Sequence, residues 1–213
     1  MGWPEFLFLL EGMKWTIALA AIGFLGGGAA GLAVALARTS GRPVLERATA
    51  AYVSVFQGTP LLMQLFVVYF GLALIGLDLA PWEAVAVGFT LHASAYLGDI
   101  WRGGIEAVPR GQSEAARALS LGYVSRMRDV ILPQALRVSL PATIGFLVQL
   151  IKGTSLASIV GFTELARAGN MVSNQIFKPL LVFGIVGAMY FALCWPLSLY
   201  GSWMERRLAA PTR

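Results

Sequence analysis

From Trp15 to Ala37 the chain runs for 23 residues without a charged side chain, and no other feature constrains the fold as strongly. A stretch of that length, wound as one α-helix, crosses the hydrocarbon core of a bilayer. It is not alone. Ala48–Leu77 and Pro179–Met204 are also free of charge, and Ser139–Val160 carries only Lys152. Charged residues make up 13% of the chain, against about 25% in a soluble domain, and the mean hydropathy is +0.71. The reading is an all-α, polytopic membrane protein. Five transmembrane helices are expected at about residues 15–37, 53–76, 82–99, 139–160 and 179–203, within a single transmembrane domain over residues 1–213. Glu5 and Glu11 precede Lys14, so the N-terminus lacks the basic region of a cleaved signal and the first run is expected to be retained.

Several residues inside these runs are unusual for lipid. Gly23, Gly27 and Gly31 recur every four positions, placing three small residues on one face for the close approach of another helix. Gly184 and Ala188 form a second small pair. Within Phe56–Gln64, Gly58 and Pro60 interrupt the helix while Gln57, Thr59 and Gln64 are polar. A break at membrane depth persists only where neighbours or a water-filled cavity satisfy the freed backbone groups, so the segment is expected to line a pathway. Lys152 stands beside Thr154 and Ser155, with Gln149 one turn back. A lysine inside a span is costly and points to function, and its polar neighbours favour a cavity-facing side chain over one that snorkels. Tyr96 belongs to the same polar set. His92 is read as a hydrogen-bonded interior residue, with no metal cluster around it, and Cys194 as an apolar filler.

The longest polar region, Asp99 to Arg137, separates the third and fourth spans. Read as a helix, Arg110–Gly122 puts Ala115, Ala118, Leu119 and Gly122 on one smooth face, with Glu114 and Arg117 close enough on the other to pair. The pattern suits docking into a shallow protein groove, or a solvated helix that touches nothing. Loops after spans one and three, with the C-terminal tail, hold 12 of the 16 Lys and Arg. By the positive-inside rule the N-terminus is expected outside, the C-terminus in the cytoplasm, and the polar region about residues 102–137 cytoplasmic. That distribution accounts for the pI of 9.7 without nucleic acid.

No G-x-x-x-x-G-K-[ST] phosphate loop occurs, and no Ser-His-Asp, paired-carboxylate or Cys/His arrangement suggests an enzyme. A polar path through a helical bundle, plus a helix suited to docking, points to a transport subunit driven by a partner. The alternatives are an ion-coupled carrier acting alone, an importer of another small polar solute, or a receptor or scaffold.

A resemblance narrows these. Glu114-Ala115-Ala116, followed by Val130-Ile131-Leu132-Pro133 and Gln134-Ala135-Leu136, resembles the EAA motif of ATP-binding-cassette (ABC) importer permeases. Phe56-Gln57-Gly58-Thr59-Pro60-Leu61-Leu62, Ser94-Ala95-Tyr96, Arg102-Gly103-Gly104-Ile105, Val108-Pro109-Arg110-Gly111-Gln112 and Lys152-Gly153-Thr154-Ser155-Leu156 are similar to the polar-amino-acid permeases of bacterial uptake systems. The similarity implies the type I ABC importer permease fold in the bacterial inner membrane. It implies a second permease subunit, as a homo- or heterodimer, two ATP-binding cassette subunits, and a periplasmic or lipid-anchored amino acid binding protein. No cofactor is expected on this chain, with ATP and Mg on the partner ATPase. Glu114 would anchor the EAA helix on the ATPase, while Ala115, Ala116 and Ala118 would permit close approach.

Four departures accompany the resemblance. The motif's glycine, six positions after its glutamate, is Ser120, and Gly122 is out of register. The family often has arginine at Gln57, aspartate at Gly153 and asparagine near Gly145, all within segments assigned to the pathway. The missing aspartate beside Lys152 leaves a more positive field. That favours an acidic or neutral substrate over a cationic one, or a subunit that is the less substrate-engaged half of a heterodimer.

Overall fold

The computed structural model describes residues 1–208, and among these the regular structure is helical. Helix α1 runs Trp3–Arg38, α2 Pro43–Gly58, α3 Leu61–Leu74 with a π turn at Val67–Gly71, and α4 Pro81–Ala107. Helix α5 is Arg110–Ala118. Helix α6 is a continuous rod, Tyr123–Val160, that begins with a π turn at Arg126–Ile131 and tightens to 3-10 geometry at Thr154–Val160. Helices α7, Leu165–Ile176, and α8, Pro179–Leu208, complete the order. Two long helices start by the same device. Proline occupies the first turn, where its missing N–H is no loss, and a glutamate one or two positions on accepts from the backbone: Glu5 from Gly2 N–H at 2.6 Å and Glu83 from Ala80 N–H at 2.9 Å.

The innermost helix is α4, and α1 lies along it. A Cβ on Gly23 would stand 2.8 Å from the Cβ of Phe89, one on Gly27 would strike Ala93, and one on Gly31 would be 3.1 Å from Gly98 N and Ser94 O. The order of these contacts shows that α1 and α4 run parallel, so a return segment must connect them. Helices α2 and α3 supply it. On the other side of α4, α6 runs antiparallel: Trp101 Nε1 donates to Thr143 Oγ1 at 3.0 Å, Tyr96 stacks on Phe146, and Gly104 lies against Ala135 and Ser139. Helix α8 covers α6, with Cys194 buried beside Ala20, Val148 and Ile151.

By length and composition α1, α6 and α8 each suffice to cross a membrane, and α2 with α3 make one more if taken together. The five expected spans coincide with α1, the α2–α3 pair, α4, α6 and α8, of which α4 is not among the helices apolar enough to cross by this measure. The span at 53–76 is not a straight helix: α2 and α3 meet at 107°. Thr59 is extended, at φ −118° and ψ 141°, because the Pro60 ring excludes a helical residue before it. The short polar stretch Gly161–Lys178 also holds more than a loop. Leu165, Ala168 and Val172 recur at helical spacing and are buried against Leu9 of α1 and Val182 and Val186 of α8. The Gly184–Ala188 pair faces away from this chain's core, with nothing within 4 Å of a Cβ on Gly184.

Candidate functional site: a polar cleft and a surface helix

A cleft of about 680 Å³ opens where the α2–α3 break faces α4 and α6. Of the polar residues assigned to the pathway, Gln57, Thr59, Tyr96, Gln149, Lys152 and Ser155 line it. Gln64 and Thr154 do not. Thr154 is buried and its hydroxyl donates to Ile151 O at 2.7 Å, closing the last turn of the α-helical rod. Gln64 sits behind the wall and holds it in shape. Its Nε2 donates to Phe56 O at 2.8 Å and Thr59 O at 3.0 Å, two carbonyls that the helix break leaves without helical partners. Since those carbonyls only accept, the amide nitrogen must face them and Oε1 must face His92 Nδ1, at 2.9 Å. Nδ1 therefore carries the proton and donates. His92, whose ring also packs at a tilt against Tyr96 at 4.5 Å between centroids, is a lining residue of the cleft beyond those the sequence singled out for it. The signal was present in its one-turn spacing from Tyr96, but a lone histidine on an apolar helix carries no direction until the fold is known.

One end of the cleft meets a charged cluster. Asp99 accepts from Arg38 at 2.7 Å and Arg102 at 3.0 Å, and Gln57 Nε2 reaches its second oxygen at 3.4 Å. Arg102 also pairs with Glu106 at 2.5 Å. Burial opposes its charge, but the hydrogen bonds to Glu106 and Asp99 outweigh it and hold the guanidinium pKa above the ordinary arginine value. A single carboxylate thus ties the ends of α1 and α2 to α4. Of the family-like departures, Gln57 and Gly153 line the cleft, whereas Gly145 lines a separate cleft between α6 and α8. The segment around Gly145 is therefore not part of the same wall, because α6 turns that face toward α8.

The surface helix is α5. Ala116 is 3% exposed and pins it to the chain, while Glu114, Ala115, Ala118 and Leu119 are uncovered, Leu119 at 75%. Among the described residues Glu114 makes no ion pair, with Arg117 or otherwise. The helix ends in a Schellman motif: Leu121 N–H bonds to Ala116 O at 3.0 Å and Ser120 N–H to Arg117 O at 2.8 Å. Ser120 takes the left-handed position, at φ 58°. That is the position where the motif has glycine, and glycine is the residue that adopts it without steric cost. Gly122 is exposed, has open space around it, and starts the next helix instead.

Sequence reasoning passed over Glu164. It is fully buried at the N-cap of α7, accepting from Ala166 and Arg167 N–H at 2.9 and 2.8 Å and from the Tyr190 hydroxyl at 2.8 Å. Thr16 of α1 completes the junction by accepting from Leu165 N–H at 3.2 Å. Glutamate is not a favoured N-cap residue, so the local pattern gave no cue.

Comparison with known proteins follows the same outline. The family of binding-protein-dependent transport system inner membrane components matches residues 27–210. The probable amino-acid ABC transporter permease protein YckA of Bacillus subtilis (strain 168) is 32% identical over 205 residues, 96% of this chain and 91% of that protein. The L-cystine transport system permease protein TcyB of the same organism is 37% identical over 207 residues, 97% and 87% of the two chains. Among solved structures, a chain of an amino acid ABC transporter crystallised with histidines superposes at TM-score 0.85, with 32% identity over 94% of each chain.

Proposed function

This chain belongs to the family of binding-protein-dependent transport system inner membrane components, and from that premise we propose that it is the translocation subunit of an ATP-driven amino acid uptake system. The chain has no nucleotide-binding loop, so ATP and Mg bind to a separate ATPase. A second permease subunit faces this one, two ATP-binding cassette subunits sit below, and a periplasmic or lipid-anchored binding protein delivers the amino acid. The N-terminus lies outside and the C-terminus in the cytoplasm, in keeping with the excess of Lys and Arg after α1 and α4 and in the tail. The cleft lined by Gln57, Thr59, Tyr96, His92, Gln149, Lys152 and Ser155 is this subunit's share of the pathway, with Gln64 and Thr154 shaping its wall.

The observation that carries the reading is the exposure of α5. A nine-residue helix fastened by Ala116 presents Glu114, Ala115, Ala118 and Leu119 outward with no partner among the described residues. Small side chains permit a close approach, Glu114 anchors the contact, and the left-handed Ser120 with the extended Gly122 lets the chain turn sharply away. Motion of an ATPase groove then pushes α5, and the Schellman turn and the start of α6 carry it toward the cleft. The test is Glu114→Arg in the assembled transporter. A reversal that sets like charges together at a protein–protein contact costs several kcal/mol, so uptake falls by roughly an order of magnitude or more while the subunit still folds and inserts. Wild-type uptake in that variant would sink the docking assignment.

A further inference from the structure

A third pocket, of about 560 Å³, lies between α5 and the ends of α1, α4 and α6, and it gathers three guanidinium-bearing side chains: Arg110, Arg117 and Arg126. None of the three forms an ion pair among the described residues. The one carboxylate on the wall, Glu106, is already held by Arg102 at 2.5 Å. Arg126 stacks over the Tyr123 ring at 5.5 Å, and its Nε is the single buried side-chain nitrogen or oxygen without a partner among the described residues. A partly enclosed guanidinium without a counter-charge is costly, so the pocket is electrostatically incomplete as it stands.

Glu114, on the flank of α5 between the pocket and the face proposed for the ATPase, makes no ion pair with Arg110 or Arg117 among the described residues, so it does not supply the missing charge. On α5, Arg110, Ser113 and Arg117 follow one another at i, i+3 and i+7 and share the pocket face. Ala115, Ala118 and Leu119 lie on the opposite side of the same helix. The rim of the pocket, Thr39 and Val108, marks the ends of α1 and α4. Thr39 directly follows the apolar length of α1, and the neighbouring Val124 is 73% exposed. Arginine's planar fork matches the oxygens of a phosphate, and basic pockets between helix ends are a recurring way to hold acidic headgroups. We propose that Arg110, Arg117 and Arg126 form a site for a phosphate-bearing anion, occupied by the headgroup of an acidic phospholipid, which braces α5 against the helix bundle.

The test uses the assembled transporter, stripped of lipid in detergent and titrated with phosphatidylglycerol, with phosphatidylcholine of the same chains, and with inorganic phosphate, binding being read by native mass spectrometry. Phosphatidylglycerol is expected to be retained and phosphatidylcholine not. Each arginine removed weakens retention about five-fold, from roughly 1 kcal/mol per basic residue near the headgroups, so R110Q/R117Q/R126Q loses about two orders of magnitude. Arg128→Gln, at an exposed side chain already paired with Asp129, leaves retention unchanged. If inorganic phosphate binds with the same arginine dependence and phosphatidylglycerol no better than phosphatidylcholine, the anion site stands and its occupant is soluble. Wild-type retention by the triple variant overturns the proposal. So does equal retention of both lipids with no phosphate binding, or a loss of ATPase from the complex with lipid binding intact. If the triple variant does not assemble, Arg110→Gln and Arg126→Gln are read singly, and unchanged affinity in both overturns it as well.

Discussion

Ser120 shows how much one backbone position decides. The Schellman turn requires a left-handed residue after α5, and a serine there holds φ 58° at about 1–2 kcal/mol relative to a right-handed conformation. Ser120→Gly is therefore expected to stabilise the purified subunit, read as a higher thermal midpoint, by up to about 1 kcal/mol once the greater freedom of the unfolded chain is subtracted. Ser120→Val, β-branched at a left-handed position, is expected to destabilise it by about 1–3 kcal/mol, read as a lower midpoint. A loss of stability in the glycine variant would show that the serine side chain contributes more than its conformation costs. Lys152 makes a prediction of a different kind. It lines the cleft and forms no ion pair among the described residues, so Lys152→Met is expected to leave assembly intact and abolish uptake of labelled amino acid. Normal uptake would assign Lys152 to the membrane interface.

At the scale of elements, close helix approach carries the structure. Gly27 faces Ala93 and the Ser94 backbone, and backbone cannot rotate away as a side chain can. Gly27→Val is expected to destabilise the subunit by about 1–3 kcal/mol, or more if α1 must shift. Gly103→Ala, with open space around it inside α4, is expected to stabilise it by about 0.5–1 kcal/mol. Thermal unfolding of the two variants in one detergent decides whether the glycine stripe or mere glycine content matters. The α1–α7–α8 junction gives a second test. Glu164→Ala removes an N-cap, at about 1 kcal/mol, and takes an acceptor from the partly buried Tyr190 hydroxyl, at about 1 kcal/mol more. The midpoint should fall clearly, and less so for Glu164→Gln, which keeps an acceptor oxygen. Equal midpoints for wild type and alanine variant would mean that water replaces the carboxylate.

The molecule as a whole is a bundle that is incomplete on its own. The parallel packing of α1 and α4 forces the connection through α2 and α3, and the break in that connection makes one wall of the cleft. Large apolar side chains remain uncovered along α3 and α8, among them Leu74 and Leu180, a surface suited to lipid and, on the proposed reading, to a second permease subunit. The polar cleft and the exposed face of α5 lie at separate places on this frame, joined by α4, which ends just before α5 and lines the cleft with His92 and Tyr96, and by α6, which begins beside α5 and lines the cleft with its far end.

Much of this was legible in the sequence because the physics is local. Charge-free runs long enough for lipid specify membrane helices, glycines every four residues specify a close-packed face, and Pro60 specifies a break whatever the surroundings. Motif order along the chain was enough to indicate the family. What the sequence left undecided depends on partners distant along the chain. The depth of the bend at Thr59 and Pro60, the role of Gln64 as a brace instead of a lining residue, and the burial of Glu164 follow from groups brought together by packing. The direction of the α5 faces was decided by tertiary structure for the same reason: helical spacing says which residues share a side, but only the contact at Ala116 says which side is covered.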